Sequence, residues 1–335
     1  MPTISPTAPY PRLLADVGGT YSRFGWVAGP GEGIAKVAGY PCREHAGLDA
    51  AIAHYLATQR CGAPSAGAIA IATPVAGDTV TMTNLEWTIS VEALRRRFGL
   101  ERLLVLNDFA ALALAIPALA PSEVRRVGGG EAVAGAPVAL LGAGTGLGVA
   151  GLLHAQGGIL PIAGEGGHVT LAAADATEDR VVAWLRTRFG HVSAERALSG
   201  DGLVNLYQAG CAIAGRSAEA LQAAAVTSRA LAGSDADCHG AVEQFFAFLG
   251  GVAGDLALTL GARGGVYVGG GIVPHLGDWI ARSAFRARFE AKGRYRSYLA
   301  AIPTWTIDGT AAPALRGANR ALDDPPPGAY LAVAS

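Results

Sequence analysis

Residues 13–24 read LLADVGGTYSRF, and residues 140–150 read LLGAGTGLGVA. In each stretch an apolar run predicts a strand, a glycine-rich turn with a threonine follows, and a second apolar run predicts the returning strand. The two stretches align at one constant offset, which matches Gly19 with Gly144 and Gly33 with Gly158. We therefore predict a duplicated unit, built as two mixed sheets that face each other across a cleft with a Gly-Thr hairpin at each lip.

Outside the hairpins, strands and helices alternate in both copies. The first copy predicts strands at 12–16, 23–28, 34–40, 68–73 and 103–106, and helices at 48–57, 91–98 and 108–116. The second copy predicts strands at 138–141, 147–153, 159–163, 266–268 and 303–307, and helices near 218–231, 242–260, 275–290 and 312–322. This pattern predicts a small α/β domain (12–117 plus 309–322), a large α/β domain with inserted helices (118–308), and loose tails at 1–11 and 323–335.

The composition of the 335 residues excludes several classes of protein. A hydrophobic content of 51% is too high for a disordered chain, and a net charge of −1 provides no basic surface for nucleic acid or an anionic membrane. The four cysteines have no C-x-x-C spacing, and the N-terminal segment lacks the apolar core of a signal peptide, so we expect a reduced, cytoplasmic protein. The uncharged stretch 132–153 is broken by Pro137 and several glycines, which favours buried strands over a membrane span.

Two glycine-rich turns are candidate phosphate sites. In Asp16-Val17-Gly18-Gly19-Thr20, the glycines let backbone N–H groups approach an anion, and the carboxylate of Asp16 requires a divalent cation beside a phosphate. An ordinary hairpin with a capping aspartate is the alternative for this turn taken alone. The second turn contains Gly144, Thr145 and Gly146, and it also fits the G-x-G-x-x-G dinucleotide pattern. Because a strand is predicted after it and no helix, a nicotinamide dehydrogenase is the least favoured reading.

Further polar and glycine-rich positions follow predicted strands. Asn107 and Asp108 join a strand to a helix, where either could be a helix cap or a group that contacts a ligand. Glu165 and His168 are separated by two glycines and could both face a polyhydroxylated ligand, although a structural histidine is an alternative. Glu195 is a lone carboxylate that nothing local marks as functional. The triple glycine 269–271 either leaves room for a flat ligand or allows close packing of a strand and a helix.

Taken in order, these segments resemble the bacterial glucokinase family, within the sugar kinase, actin and Hsp70-like fold group. The resemblance runs from about residue 13 to 322 and is carried by LLADVGGTYSRF, LNDFAA, LLGAGTGLGVA, GEGGHV, SAERALSGDGLVNLY and GGVYVGGGIVP. It implies an α/β, two-domain actin-like ATPase (ribonuclease H-like) fold, in which each domain is a mixed sheet with flanking helices around a central cleft. It also implies an ATP-dependent, magnesium-requiring kinase of glucose at the entry to glycolysis, and a homodimer.

The resemblance assigns a role to each candidate residue. Asp108 is expected to be the base that takes the proton from the 6-hydroxyl of the sugar. The residues expected to hydrogen-bond the other hydroxyls are Asn107, Glu165, His168 and Glu195. Asp16 is expected to hold Mg²⁺ through water. The residues expected to contact ATP are Ala15, Asp16, Val17, Gly18, Gly19, Thr20, Gly144, Thr145, Gly146, Gly269, Gly270 and Gly271.

Four features depart from the family pattern: Tyr21 after the first Gly-Gly-Thr, Ala143 where proline is common, residues 169–175 (VTLAAAD) without the usual aromatic residue before Ala-Pro, and Asp201 as an added charge. None of them is an expected base or sugar ligand. Two alternatives keep the fold and change the function: a kinase for another hexose or an amino sugar, and a non-catalytic sugar-responsive regulator. Regulators of this kind carry an N-terminal DNA-binding helix-turn-helix, and the zinc motif of the ROK group is cysteine-rich; the sequence shows neither.

Overall fold

The computed structural model describes residues 7–82, 85–155, 158–309 and 312–334. The chain forms two compact units. The first unit runs to Leu119 and adds Ala155–Ala163 and the segment after Gly309, whereas the second unit holds Ala120–His154 and Gly164–Gly309. The chain therefore leaves the first unit and returns to it twice, so the first unit is assembled from segments far apart in the sequence.

The strands and helices are numbered in chain order. The strands are β1 (Arg12–Val17), β2 (Tyr21–Val27), β3 (Ala35–Pro41), β4 (Ala66–Ile71), β5 (Thr79–Thr81), β6 (Thr88–Ser90), β7 (Arg102–Asn107), β8 (Val124–Gly128), β9 (Val138–Ala143), β10 (Leu147–Ala155), β11 (Gly158–Gly164), β12 (Gly265–Gly269), β13 (Thr304–Ile307) and β14 (Tyr330–Val333). The helices are α1 (Leu48–Thr58), α2 (Val91–Arg97), α3 (Asp108–Ala115), α4 (Ala176–Phe189), α5 (Gly200–Ile213), α6 (Ala223–Ala232), α7 (Ala236–Leu260), α8 (Ile272–His275), α9 (Trp279–Arg282), α10 (Phe285–Glu290), α11 (Arg296–Ala300) and α12 (Pro313–Asp323).

The sheet of the first unit has the strand order β14-β7-β4-β1-β2-β3. β1 is antiparallel to β2 and parallel to β4, and β4 is parallel to β7. In this register Val17 lies beside Ile71, and Ile71 lies beside Asn107, so the carboxyl ends of β1, β4 and β7 share one edge of the sheet. Ligand groups are commonly placed at such an edge in open α/β sheets.

In the second unit the strand order is β10-β9-β12-β13-β8. β9 and β10 form an antiparallel hairpin, and β12 is parallel to both β9 and β13. Gly142 and Gly269 are paired where β9 and β12 end. The two mixed sheets with flanking helices confirm the predicted α/β class, and the first sequence stretch quoted above forms the β1–β2 hairpin as the second forms β9–β10.

Several elements differ from the sequence prediction. Residues 330–333 lie in a predicted loose tail but form β14, which pairs antiparallel with β7. The helix expected near 275–290 is broken into α8, α9 and α10, because a turn with Gly277 at positive φ ends α8 and Ser283 is extended. β8 is absent from the sequence prediction, because two of the five residues of VRRVG are arginines and the strand is only partly buried.

Helix α7 begins earlier than predicted, because the side chain of Asp235 accepts hydrogen bonds from the N–H groups of Asp237 and Cys238 and so caps it. Within the described residues it is the one helix long and apolar enough to span a membrane by length and composition. Its most apolar window is 56% buried in the structure, as the central helix of a folded core would be. Phe245 and Phe246 on this helix are fully buried in the core of the second unit.

Candidate active site

The first glycine turn joins β1 to β2 and is closed by backbone hydrogen bonds. The N–H of Gly18 donates to the carbonyl of Tyr21 at 3.0 Å, and the N–H of Cys42 donates to the carbonyl of Thr20 at 2.9 Å. The Cys42 thiol, which is buried, lies 3.5 Å from the carbonyl oxygen of Gly18. The start of the 3₁₀ segment after β3 therefore holds the turn from one side, and the exposed side chain of Thr20 lies at its tip.

Asp16 lies on β1 one residue before the end of the strand, directly opposite Arg23 on β2. Burial raises the pKa of this carboxyl group from 3.8 to about 6, and the positive charge of Arg23 acts against the increase. Desolvation therefore outweighs the attraction to Arg23, and the ionised form of Asp16 is short of compensating positive charge. A cation beside this carboxylate would supply that charge.

Asn107 and Asp108 are placed by the junction of β7 and α3. The side-chain oxygen of Asn107 accepts from the N–H groups of Phe109 and Ala110 at 3.0 and 3.1 Å, so Asn107 is the N-cap of α3. The capping explanation is therefore correct for Asn107, but the cap uses only the amide oxygen and not the NH₂ group. Asp108 is the first helical residue, where the helix dipole favours an ionised carboxylate.

The position of α3 depends on very close contact with α12. A Cβ atom added to Gly317 of α12 would overlap the backbone carbonyl of Ala111 on α3. Only a glycine allows the two backbones to approach this closely. Asp108 lies on α3, and the position of α3 in the first unit depends on its packing against α12, which is distant in the sequence.

The second glycine turn joins β9 to β10 and contacts two other elements of the second unit. The N–H of Gly144 donates to the carbonyl of Gly146 at 2.8 Å, which closes the turn, and the N–H of Gly200 donates to the carbonyl of Gly144 at 2.9 Å. Gly270 has φ of +83°, and a Cβ there would overlap the backbone of Ala143. The structure therefore brings Gly144–Gly146 and Gly269–Gly271 together, at the point where helix α5 begins.

Glu165, His168 and Glu195 lie in or beside two short turns that pack near Leu147, the first residue of β10. Gly166–His168 and Ala194–Arg196 are short 3₁₀ turns that contact each other, and Gly167 lies so close to Leu147 that a Cβ would overlap its carbonyl oxygen. The N–H of Leu147 donates to a carboxylate oxygen of Glu195 at 2.9 Å. Glu165 and His168 are exposed and Glu195 is half-buried, so all three can accept a ligand from solvent.

The structure thus collects the predicted residues into two groups. Ala15–Thr20, Asn107 and Asp108 lie at one sheet edge of the first unit, and the remaining candidates lie around the β9–β10 turn of the second unit. The sequence analysis does not include Ser199. Its buried hydroxyl donates a hydrogen bond to the carbonyl of Glu195. The sequence feature that could have identified it is its position directly before the Gly-x-Gly start of α5. Tyr21, which departs from the family pattern, is exposed and packs against Gly39.

Comparison with known proteins gives one consistent result. A family model described as Glucokinase matches residues 13–325. A glucokinase of Aromatoleum aromaticum is 52% identical over 316 residues, which cover 94% of this chain and 95% of that protein. The match therefore extends over nearly the whole length of both chains.

Two solved structures agree with this result. The crystal structure of a glucokinase from an Antarctic psychrotroph is 34% identical, with a TM-score of 0.80, and the match covers 92% of this chain and 98% of that one. A ROK family glucokinase from Streptomyces griseus, solved in complex with glucose and AMPPNP, is 17% identical with a TM-score of 0.64 and covers 93% and 98%; it shows the shared fold. The match over most of the chain, at half identity, means that this chain belongs to the glucokinase family.

Proposed function

We propose that the chain transfers the terminal phosphoryl group of ATP to the 6-hydroxyl of glucose, with Asp108 as the general base. The observation that carries this proposal is the placement of Asp108 at the first turn of α3, beside the sheet edge where β1 ends in its glycine turn. The helix dipole at this position favours a negative charge, and Asp108 lies at the same sheet edge as a turn suited to phosphate. The glucokinase activity of the family to which the chain belongs fits both features.

In the proposed reaction, the 6-oxygen of glucose attacks the γ-phosphorus of ATP in line with the leaving oxygen of ADP. The new oxygen–phosphorus bond forms as the bond to the ADP oxygen breaks, and the hydroxyl proton passes to the carboxylate of Asp108. Such reactions are catalysed chiefly by positioning and by neutralising charge on the phosphoryl oxygens. The base contributes by removing the proton as the oxygen becomes more acidic.

The other sugar hydroxyls are assigned to Asn107, Glu165, His168 and Glu195. Carboxylates accept strong hydrogen bonds from hydroxyl donors, and the NH₂ group of Asn107 remains able to donate while its oxygen caps α3. His168 offers one donor and one acceptor in its neutral form. Together these groups would fix the sugar ring so that its primary hydroxyl faces Asp108.

The phosphates of ATP are assigned to the two glycine turns, at residues 15–20 and 144–146, and the nucleoside is assigned to Gly269–Gly271. Magnesium is assigned to Asp16, because desolvation raises the pKa of this half-buried carboxyl group and a hard cation would stabilise its charged form. Among the residues the structure describes, no cluster of three or more His, Cys, Asp and Glu could hold a metal by itself, which suits an ion held by one carboxylate, phosphates and water. When bound, magnesium neutralises phosphate charge.

A steady-state assay of ADP release tests the proposal with glucose, mannose, fructose and N-acetylglucosamine as acceptors. We expect the highest kcat/KM with glucose, and no turnover above ATP hydrolysis with 6-deoxyglucose, which lacks the accepting hydroxyl. A glucose 6-phosphate dehydrogenase coupling step identifies the product. A higher kcat/KM with N-acetylglucosamine or another hexose would mean that this sugar, and not glucose, is the preferred substrate. ATP consumption without any sugar phosphate would contradict the proposed phosphoryl transfer.

The same proposal includes a cytoplasmic location and a homodimer, as family resemblance implies. The four cysteines are all free thiols in the structure, which suits a reducing compartment. Sedimentation velocity at micromolar concentration tests the dimer, for which a mass near twice 33.9 kDa is expected.

A further inference from the structure

Ser199 makes two hydrogen bonds with a single buried hydroxyl group. It donates to the backbone carbonyl of Glu195 at 2.9 Å and accepts from the N–H of Gly202 at 2.9 Å. The residue is only 2% exposed, so water does not compete for either bond. One hydroxyl therefore fixes the 3₁₀ turn that carries Glu195 and, at the same time, caps the N-terminus of α5.

The capped end of α5 is itself bonded to the second glycine turn. Gly200, the residue after Ser199, donates its N–H to the carbonyl of Gly144 at 2.9 Å. Glu195 contacts the same hairpin at the start of β10, because its carboxylate accepts from the N–H of Leu147 at 2.9 Å. Ser199 thus lies at the centre of a short chain of bonds from a sugar carboxylate to a phosphate turn.

The 3₁₀ turn has a second anchor besides Ser199. Asn205, which is 7% exposed, donates from its side-chain nitrogen to the carbonyl of Arg196 at 2.9 Å. A Cβ on Gly202 would overlap the backbone of Ala197, so the first turn of α5 is packed directly on the 3₁₀ turn. These contacts leave the Glu195 backbone little freedom as long as both anchors are in place.

We propose that Ser199 is a positioning residue that holds the sugar carboxylate Glu195 and the phosphate turn at Gly144 in one fixed arrangement. This inference rests on the proposed roles of Glu195 and of Gly144–Gly146. It assigns to Ser199 an effect on both substrates, although the side chain is buried and contacts neither. A residue that only capped α5 would affect stability and leave both substrate affinities unchanged.

The test compares Ser199→Ala with a matched cap variant in the other unit. Ser90 is the N-cap of α2 and also makes two bonds, since its hydroxyl accepts from Ala93 and donates to Asp78. We expect both Ser199→Ala and Ser90→Ala to lower the Tm, and Ser199→Ala to lower it more, because Ser199 is buried whereas Ser90 is half-exposed. Only Ser199→Ala should raise the KM for glucose and the KM for ATP, each about three- to tenfold, as expected for one lost hydrogen bond.

Two further variants make the result decisive. Asn205→Ala removes the other anchor of the turn without touching the α5 cap, and it should raise the KM for glucose while leaving the KM for ATP near that of the wild type. Ser199→Thr keeps the hydroxyl and should recover both KM values. If Ser199→Ala lowers the Tm but moves neither KM, or moves only one of them, the coupling is overturned.

Glu195→Gln separates this failure from a failure of the proposed site. If Glu195→Gln leaves the KM for glucose unchanged, the sugar role of Glu195 is wrong and the proposed function must be revised. If Glu195→Gln raises that KM while Ser199→Ala does not, the site assignment survives and the positioning role of Ser199 is rejected.

Discussion

At the scale of single residues, the two aspartates of the first unit differ in what surrounds them. Asp16 is desolvated on a central strand, with one arginine across the ladder, and its pKa is raised to about 6. Asp108 begins a helix, where the dipole of α3 favours its charge. Burial thus makes the negative charge of Asp16 costly to the folded protein, whereas the helix dipole favours the negative charge of Asp108, the proposed base.

Asp16→Asn is expected to stabilise the ligand-free protein at neutral pH. Between pH 3.8 and about 6 the folded state keeps a proton that the unfolded state releases, so wild-type stability falls as the pH rises through this window. The variant has no such loss, and its free energy of unfolding at pH 7.5 should exceed that of the wild type by about 1–3 kcal/mol. Urea unfolding measured from pH 4 to 8 checks this.

The advantage of Asp16→Asn should shrink to nothing as the pH approaches 4. Glu32→Gln, which neutralises an exposed carboxylate in a loop, serves as the control and should show no comparable trend. A wild type that remains at least as stable as Asp16→Asn at pH 7.5 would contradict the burial argument.

Asp108→Asn is expected to fold normally and to lose kcat by about 10²- to 10⁴-fold, the range attributed to a positioned base. Asparagine has the same shape and remains acceptable at the start of a helix, so the Tm should stay close to that of the wild type. The KM for glucose should change little. Steady-state kinetics with thermal denaturation as a folding check test this, and a kcat within tenfold of the wild type would exclude Asp108 as the base.

At the scale of secondary structure, the helix that carries Asp108 depends on a neighbour distant in the sequence. α12 contributes Gly317 to the contact with α3, and the end of α12 contributes Asp323 to the buried guanidinium of Arg12. Arg12 is the first residue of β1, the strand that leads to Asp16. The start of the first unit, at β1, is therefore bonded to α12, which lies near the end of the chain.

Gly317→Ala is expected to destabilise the protein by about 1–3 kcal/mol or more, because the added methyl group must push α12 away from the Ala111 carbonyl. Gly240→Ala in α7 is the matched control, since a Cβ there meets nothing within 4 Å. Alanine is the better helix former, so the control should be neutral or stabilised by up to about 1 kcal/mol. Chemical denaturation compares them, and equal effects would refute the close-contact explanation.

Asp323→Asn is expected to cost about 2–3 kcal/mol, because it leaves the buried guanidinium of Arg12 without its ionic partner. Asp323 is itself 39% exposed, which keeps the expected cost below that of a fully buried pair. Asp49→Asn, which breaks the solvent-exposed pair with Arg97, should cost less than about 1 kcal/mol. A similar loss in both variants would show that burial of Arg12 is unimportant.

Local signals explain which elements could be predicted from the sequence. The two hairpins and the start of α3 depend on a turn and a cap within a few residues, and the structure forms each of them as predicted. β14 and the Gly317 contact depend on partners more than 200 residues away, and nothing in the local pattern shows them. The candidate residues were named from the sequence, but the bonds among Glu195, Ser199 and Leu147 required coordinates.

At the scale of the whole molecule, each unit has its own hydrophobic core and its own share of the candidate residues. Asp108 and Asp16 belong to the first unit, whereas Glu165, His168 and Glu195 belong to the second. A bound sugar is expected to stabilise the folded chain through the residues proposed to bind it.

Glucose at a hundred times its Kd is expected to raise the free energy of unfolding by about 2.7 kcal/mol, as mass action requires for a ligand that binds only the folded state. Galactose at the same concentration should have a much smaller effect if the hydroxyl-binding residues read ring stereochemistry. Thermal shift measurements with both sugars check this. A Glu195→Gln variant that keeps the full glucose shift would count against the assignment of that residue.

The split make-up of the first unit also has a consequence for protein synthesis. The ribosome releases β1, β7 and α3 long before α12, which covers α3 through Gly317, has been translated. The second unit is nearly continuous in sequence, and all of its core residues are translated before α12. It is therefore expected to fold during translation, while the face of α3 that α12 later covers is still exposed. Premature termination before codon 313 should therefore yield a product that binds chaperones and aggregates, even though it retains every residue named for catalysis.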